Sequence, residues 1–226
     1  MEVVGISGLE FTNLVLSQKD GPSLTLYVRN PTKLPPDVKQ SERVHVVQGE
    51  LSDTAKLGEA MSRSGRPVDA VVSFLGAYIT LKAFLLRTKS TPIADQMGTV
   101  VAAMRQHGVK RILVLSTPAW LVPGERLPWS WWGAMLFPPL IVPQGHAEMR
   151  EIAGRVSERE DLEWTVYRVP HLNDGPGDER VSAGLFGIEP QFQGTKELSR
   201  KSLVRWILNE VERGEWVRGT PMLGNY

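Results

Sequence analysis

Apolar and polar positions along the chain follow two periods in alternation. Short runs rich in β-branched and aliphatic residues read as strands at residues 2–5, 24–28, 44–48, 69–75, 111–115 and 163–168. The run at 69–75 is almost continuously apolar, the pattern of a strand buried on both faces. Helical spacing fills residues 9–19, 54–63, 92–107, 145–157 and 200–213. Their ends carry matching signals: Asp20-Gly21-Pro22 stops the first, Ser52 and Asp53 cap the second, and Gly108 closes the third. Residues 116–144 break the rhythm with a proline-rich stretch holding four of the seven tryptophans. The stretch from 169 to 199 reads as loop.

Strands alternating with helices predict one α/β domain over residues 1–226. Its expected core is a doubly wound parallel sheet of the Rossmann type with strand order 3-2-1-4-5-6. The Trp/Pro-rich segment is then an insertion after the fifth strand. Ligands of such sheets bind beyond the carboxyl ends of the strands, here the loops after Gly5, Val28, Gln48, Leu75, Leu115 and Arg168.

Charge and composition narrow the partners. A net charge of +1 gives no general attraction to nucleic acid. The absence of cysteine excludes disulfides, thiolate metal sites and cysteine nucleophiles, and no histidine–carboxylate spacing suggests a metal. The first residues lack the basic start and long apolar segment of a signal peptide. The most apolar stretch, 131–142, is short for a membrane span and is interrupted by Pro138 and Pro139. A cytoplasmic setting without integral membrane association is the expectation, with the oligomeric state open.

The first strand leads into Gly5-Ile6-Ser7-Gly8-Leu9-Glu10-Phe11. Glycines in such a turn let backbone approach a pyrophosphate at the start of a helix, although they equally make a tight strand-to-helix turn and nothing more. The element resembles the GxxGxxG turn of extended and atypical short-chain dehydrogenases, with Phe11 in the third glycine position and Glu10 beside it. A phenyl group there is expected to fill space that a diphosphate needs. A first-turn carboxylate facing the site is expected to repel the phosphate.

Further segments carry the same resemblance. Arg29-Asn30-Pro31-Thr32-Lys33 is similar to the RxPxK stretch that holds a 2′-phosphate, and Gly49-Glu50-Leu51 stands where the family has Gly-Asp-Leu/Val beside the adenine. Ser73-Phe74-Leu75-Gly76 ends the fourth strand, and Ile112-Leu113-Val114-Leu115-Ser116-Thr117-Pro118 forms the fifth. Asp161-Leu162-Glu163-Trp164-Thr165-Val166-Tyr167-Arg168-Val169-Pro170 contains the family's Trp-Thr-x-x-Arg-x-Pro element. Together these look like the NmrA-like, NAD(P)H-binding group of atypical short-chain dehydrogenases, including its flavin/biliverdin-reductase-like members. The resemblance implies NADP(H), with Gly5, Ser7, Gly8, Arg29, Lys33, Glu50, Leu51, Leu75, Gly76 and Ser116 along its path.

No tyrosine is followed by lysine four residues later, so the Tyr-x-x-x-Lys pair of the better-known enzymes is missing. In the corresponding helix stands His146-Ala147-Glu148-Met149, similar to the His-x-x-Met of the biliverdin-reductase-like members. Ser116 has the position of the family's active-site serine, where its hydroxyl polarises a carbonyl or caps the strand end. His146, His171 and Tyr78 are candidate proton donors, His171 with Asn173 and Asp174 near it in sequence. Each has a bland alternative as an ordinary surface or core residue. Trp120, Trp131 and Trp132 are candidate substrate contacts for a small hydrophobic molecule, or simply pack the insertion onto the core.

Three functions are consistent with these residues. The first is an NADPH-dependent oxidoreductase for a hydrophobic carbonyl, enone or polyketide-like substrate of specialised metabolism. The second is a cofactor-independent isomerase, dehydratase or cyclase using the same cleft, with His146, His171, Asp174 and Tyr78 as acid/base groups. The third is a non-catalytic NmrA-like sensor.

Overall fold

The computed structural model describes residues 6–63, 65–76, 90–133 and 143–226. The first helix, α1 (Ile6–Ser17), buries Gly8, Phe11, Thr12 and Val15 on one face. It starts three residues before the sequence pattern suggests and ends two residues sooner. Its last turn is closed by Arg43, whose guanidinium donates to the carbonyls of Val15, Leu16, Gln18 and Gly21 at 3.1, 2.6, 2.9 and 2.9 Å. A cation there satisfies carbonyls that have no partner within the helix and opposes the negative end of its dipole.

Strand β1 (Leu24–Val28) pairs in parallel with β2 (Val44–Gln48). Between them a 3-10 turn at Pro31–Lys33 and a short helix α2 (Pro36–Gln40) make the crossover. Helix α3 (Thr54–Ala60) is capped by Asp53, which accepts from the Lys56 N–H at 3.0 Å. It is shorter than the sequence pattern suggests, because Ser62–Arg63 (β3) turns back against Arg66–Pro67 (β4) as a small hairpin.

The main sheet has five strands. In chain order they are β5 (Ala70–Ser73), β6 (Arg111–Ser116), β7 (Glu163–Arg168), β9 (Val181–Gly184) and β11 (Met222–Asn225), and in space the order is β5-β6-β7-β11-β9. The first four in space are parallel, and β9 runs antiparallel to β11. Helices α4 (Pro92–Gln106), α5 (Pro143–Ser157) and α6 (Arg200–Arg213) complete the α/β pattern. A separate parallel pair, β8 (His171–Asn173) with β10 (Glu197–Ser199), follows the end of β7.

The neighbours 3-2 and 4-5-6 of the expected order are therefore present as β2-β1 and β5-β6-β7. The expected first strand, residues 2–5, lies outside the described residues. The reading of 169–199 as loop is corrected: three strands lie there, and a further one follows α6. They are three or four residues long, too short to show a period in sequence.

Alternation along β6 and β7 divides the core. Ile112, Val114, Trp164 and Val166 face a cluster with α3, α4 and α5, whereas Leu113 and Tyr167 face one with α1 and α6. Helices thus cover both faces, as a parallel sheet requires. The carboxyl ends of β1, β2, β5, β6 and β7 carry the loops that follow.

Candidate functional site

The nucleotide side begins at α1. Gly8 is buried in its first turn, and the Thr12 hydroxyl bonds back to the Gly8 carbonyl at 2.9 Å. Phe11 corrects the expectation drawn from its bulk. Its ring is 8% exposed and packs on Phe74, with centroids 5.6 Å apart, inside the core cluster beneath the helix. The phenyl group therefore occupies core volume. Glu10 is the fifth residue of α1, and the first turn contains no acid, so the expected first-turn carboxylate is also corrected. Ser7 is half-buried and Ile6 exposed, while Gly5 lies outside the described residues.

Arg29 and Lys33 are both exposed on the turn leaving β1. The Asn30 side chain fixes this turn by accepting from the Thr32 N–H and hydroxyl at 3.1 and 2.6 Å, and Gln48 donates to the Arg29 carbonyl at 3.1 Å. After β2, the Tyr27 hydroxyl donates to the Glu50 carbonyl at 2.6 Å. Burial, with the charges of Asp53 and Glu50, pushes the Tyr27 pKa up to about 12, so the phenol stays a donor. Gly49 is required here, since a Cβ would run into the Tyr27 hydroxyl and ring. Glu50 is exposed, Leu51 and Leu75 are buried, and Gly76 is half-buried.

Helix α5 meets the end of β6 on the other side. Ser116 is fully buried, and its hydroxyl donates to the Met149 carbonyl at 2.9 Å. That bond sets the first turns of α5 over the strand end. The next residue, Thr117, is half-buried; its Oγ1 accepts from the Ala119 N–H at 3.3 Å, leaving its own proton for another acceptor. Sequence reasoning passed over Thr117, although its signal is simple: strand alternation points consecutive side chains to opposite sides. His146, one turn before Met149, is half-buried. Burial, followed by the charge of Arg150, lowers its pKa, which keeps the ring neutral near pH 7.

The other candidates are less connected. His171 is exposed at the start of β8. Its sequence neighbours have other partners: Asp174 pairs with Arg200 at 2.6 Å, and Asn173 donates to Glu197 at 2.9 Å. Tyr78 lies outside the described residues. Of the tryptophans, Trp120 is partly buried against the main core, and Trp131 is buried with Phe186, Phe192 and Met222. Trp132 is 55% exposed. Among the described residues, no group of histidines and carboxylates is placed to hold a metal.

Arg168, the arginine of the Trp-Thr-x-x-Arg-x-Pro element, has a partner that the sequence did not reveal. Its guanidinium meets both oxygens of Glu125 at 2.7 Å, and both side chains are completely buried. Arg168 also donates to the Thr220 and Trp120 carbonyls, while Glu125 accepts from the Val122 and Phe186 N–H groups. The insertion is thus clamped across the end of β7.

Comparison with known proteins agrees with this arrangement. The model of the NAD(P)H-binding family matches residues 4–213. The chain belongs to the NAD(P)H-binding family. Similar solved structures include a short-chain dehydrogenase/reductase from Veillonella parvula DSM 2008, 20% identical, with TM-score 0.76 over 98% of this chain and 90% of that one. One from the same organism in complex with NADP gives 20% identity and TM-score 0.74 over the same shares. ChuY, an anaerobillin reductase from Escherichia coli O157:H7, is 15% identical, with TM-score 0.68 over 97% of this chain and 91% of that one. At these identities the likeness concerns the fold. Family membership supports nicotinamide-cofactor binding and a general oxidoreductase character.

The residues present fit such a cofactor. Phe11 is withdrawn into the core, the first turn of α1 carries no acid, and among the described residues a Cβ at Gly76 would meet only Leu115 Cδ2 at 3.6 Å.

Proposed function

We propose that the chain is an NADPH-dependent reductase acting on a small apolar carbonyl or enone. The observation that carries this reading is the exposed Arg29–Lys33 turn beyond β1. A planar guanidinium and an ammonium on one fixed turn suit a 2′-phosphate, which NADPH has and NADH lacks. Gly8 and the first amides of α1 would hold the diphosphate, with Leu51, Leu75 and Gly76 along the remainder. When bound, the nicotinamide supplies a hydride.

The protein's part at the reacting carbonyl falls to Thr117 and His146. Thr117 retains a hydroxyl proton at the end of β6, and the Ser116–Met149 bond brings the start of α5 to that same end. A neutral His146 polarises a carbonyl as an N–H donor rather than as an imidazolium acid. Ser116 serves to seat the helix. A glycine turn obstructed by Phe11 would favour the cofactor-independent reading; with that ring packed in the core, the obstruction is not a reason to prefer it.

Calorimetric titration tests the proposal. NADPH is expected to bind more tightly than NADH, and Arg29→Ala to weaken NADPH by about tenfold or more while leaving NADH unchanged, since one charge-assisted bond of about 1.5–3 kcal/mol is lost. Absence of NADPH binding at millimolar concentration overturns the reading, as does equal loss for both nucleotides.

A further inference from the structure

Between the threonine and the arginine of the Trp-Thr-x-x-Arg-x-Pro element stand Val166 and Tyr167. Tyr167 is fully buried on β7, its ring inside the cluster that β6 shares with α1 and α6. A leucine would fill such a place without a polar atom, whereas a buried phenol needs a partner. The Tyr167 hydroxyl finds one in the Ser73 carbonyl, to which it donates at 2.8 Å. Since β6 stands between β7 and β5, this bond passes across one strand to reach the next. Burial pushes the phenol pKa well above its ordinary value, so the group remains a donor.

Ser73 is the last residue of β5, where the chain leaves the sheet for residues 74–76. Two bonds meet there. The Ser73 hydroxyl oxygen accepts from the Leu75 N–H at 3.4 Å, and the Ser73 carbonyl accepts from Tyr167. Phe74, the next residue, is partly buried in the same cluster and packs on Phe11, whose ring centroid is 5.6 Å away. Phe11 in turn shares the buried face of α1 with Gly8, three residues earlier. Tyr167, the bend at 73–76 and the first turns of α1 are thus joined by one continuous set of contacts. It lies under the two backbone segments that a dinucleotide would follow.

We propose that Tyr167 is a positioning residue of the nucleotide site, its hydroxyl fixing the bend at 73–76 against α1 so that Leu75 and Gly76 meet the cofactor in one arrangement. This rests on the reductase reading, which puts the cofactor along that bend. A backbone segment that is already ordered has less freedom to lose when a ligand binds. The role differs in kind from that of Arg29. Arg29 addresses the 2′-phosphate, which NADH lacks, whereas the bend lies along a part that NADPH and NADH have in common. Phenylalanine at 167 keeps the ring and its apolar contacts and loses only the bond.

Tyr167→Phe, studied by calorimetry and by hydrogen exchange of the nucleotide-free chain, tests this. The variant is expected to bind NADPH about three- to tenfold more weakly, and NADH by the same factor. Its circular dichroism should match the parent's, because ring and volume are nearly unchanged. Amides of residues 74–76 should exchange faster than in the parent, while those of β2 keep their rates. A tyrosine that only supports the core would instead lower the melting temperature and leave the affinity of the folded variant as it was. Unchanged affinity in Tyr167→Phe, a loss confined to NADPH, or faster exchange spread evenly over the sheet overturns the proposal; with a parent chain that binds NADPH, the reductase reading then still stands. A parent chain that binds neither nucleotide overturns that reading, and this proposal with it.

Discussion

Phe11 shows how a single residue misleads when only its place in a motif is known. Counted along the glycine turn it takes the place of the diphosphate; in the fold it is a core residue of α1 packed against Phe74, the two rings tilted to one another. Phe11→Gly is therefore expected to lower stability by about 3–5 kcal/mol, with roughly 1 kcal/mol more for glycine within a helix, and to leave NADPH affinity no better. Urea unfolding and calorimetry would measure both, and tighter nucleotide binding by the variant would refute this placement. His146 gives a prediction in pH. Its pKa in the folded protein lies below that of the unfolded chain, so on acidification the unfolded state takes up the proton first. Stability should then be constant above the ordinary histidine value of about 6.5 and fall as pH drops from there toward the lower folded value. In His146→Gln that part of the slope should vanish, which denaturant titrations at several pH values would reveal.

At the scale of elements, what mattered was which helix end meets which side chain. Thr91 precedes α4 but makes no capping bond there; Glu148 of α5 accepts from the Ala94 N–H at 2.6 Å instead. Burial raises the Glu148 pKa, and the amides of Ala94 and Ile93 pull it back down. A glutamine keeps an acceptor without the buried charge. Glu148→Gln should therefore stay within about 1 kcal/mol of the parent at pH 7, whereas Glu148→Ala leaves those amides without a partner and should cost about 1–3 kcal/mol. Thermal melts distinguish the two, and equal losses would mean that the bond to α4 contributes nothing. Local signals had marked most helices, because caps such as Asp53 and Gly108 act within a few residues. Glu148 sits in the middle of a helix, and its role depends on a neighbour 54 residues away. Its sequence position alone carries no trace of that.

For the whole molecule, the parallel pairing of β1 with β2 and the succession β5-β6-β7 were legible from apolar runs of five to seven residues separated by helices. The order continued past β7 to β11 and β9, whose short strands owe their place to tertiary contacts. The same holds for the candidate site. Arg29 and Lys33 were readable from a local motif, whereas Thr117 and Glu125 gained meaning only once the strand end and the insertion were seen together. Glu125 and Arg168 bind β7, the insertion, the segment at Phe186 and the approach to β11 through one buried ion pair. Removing one member strands a buried charge, so Glu125→Ala or Arg168→Ala should each cost about 3–5 kcal/mol. Replacing both by apolar residues of similar size, Glu125→Leu with Arg168→Met, leaves no charge behind and should cost less than the two single losses added together. The double variant still loses bonds to the Val122, Phe186, Trp120 and Thr220 backbone groups, so it should remain below the parent in stability. A double-mutant cycle by urea unfolding resolves the coupling. Strict additivity would show that the two groups act separately, and the insertion would then owe its position to the Trp131–Phe186–Phe192 cluster rather than to the ion pair.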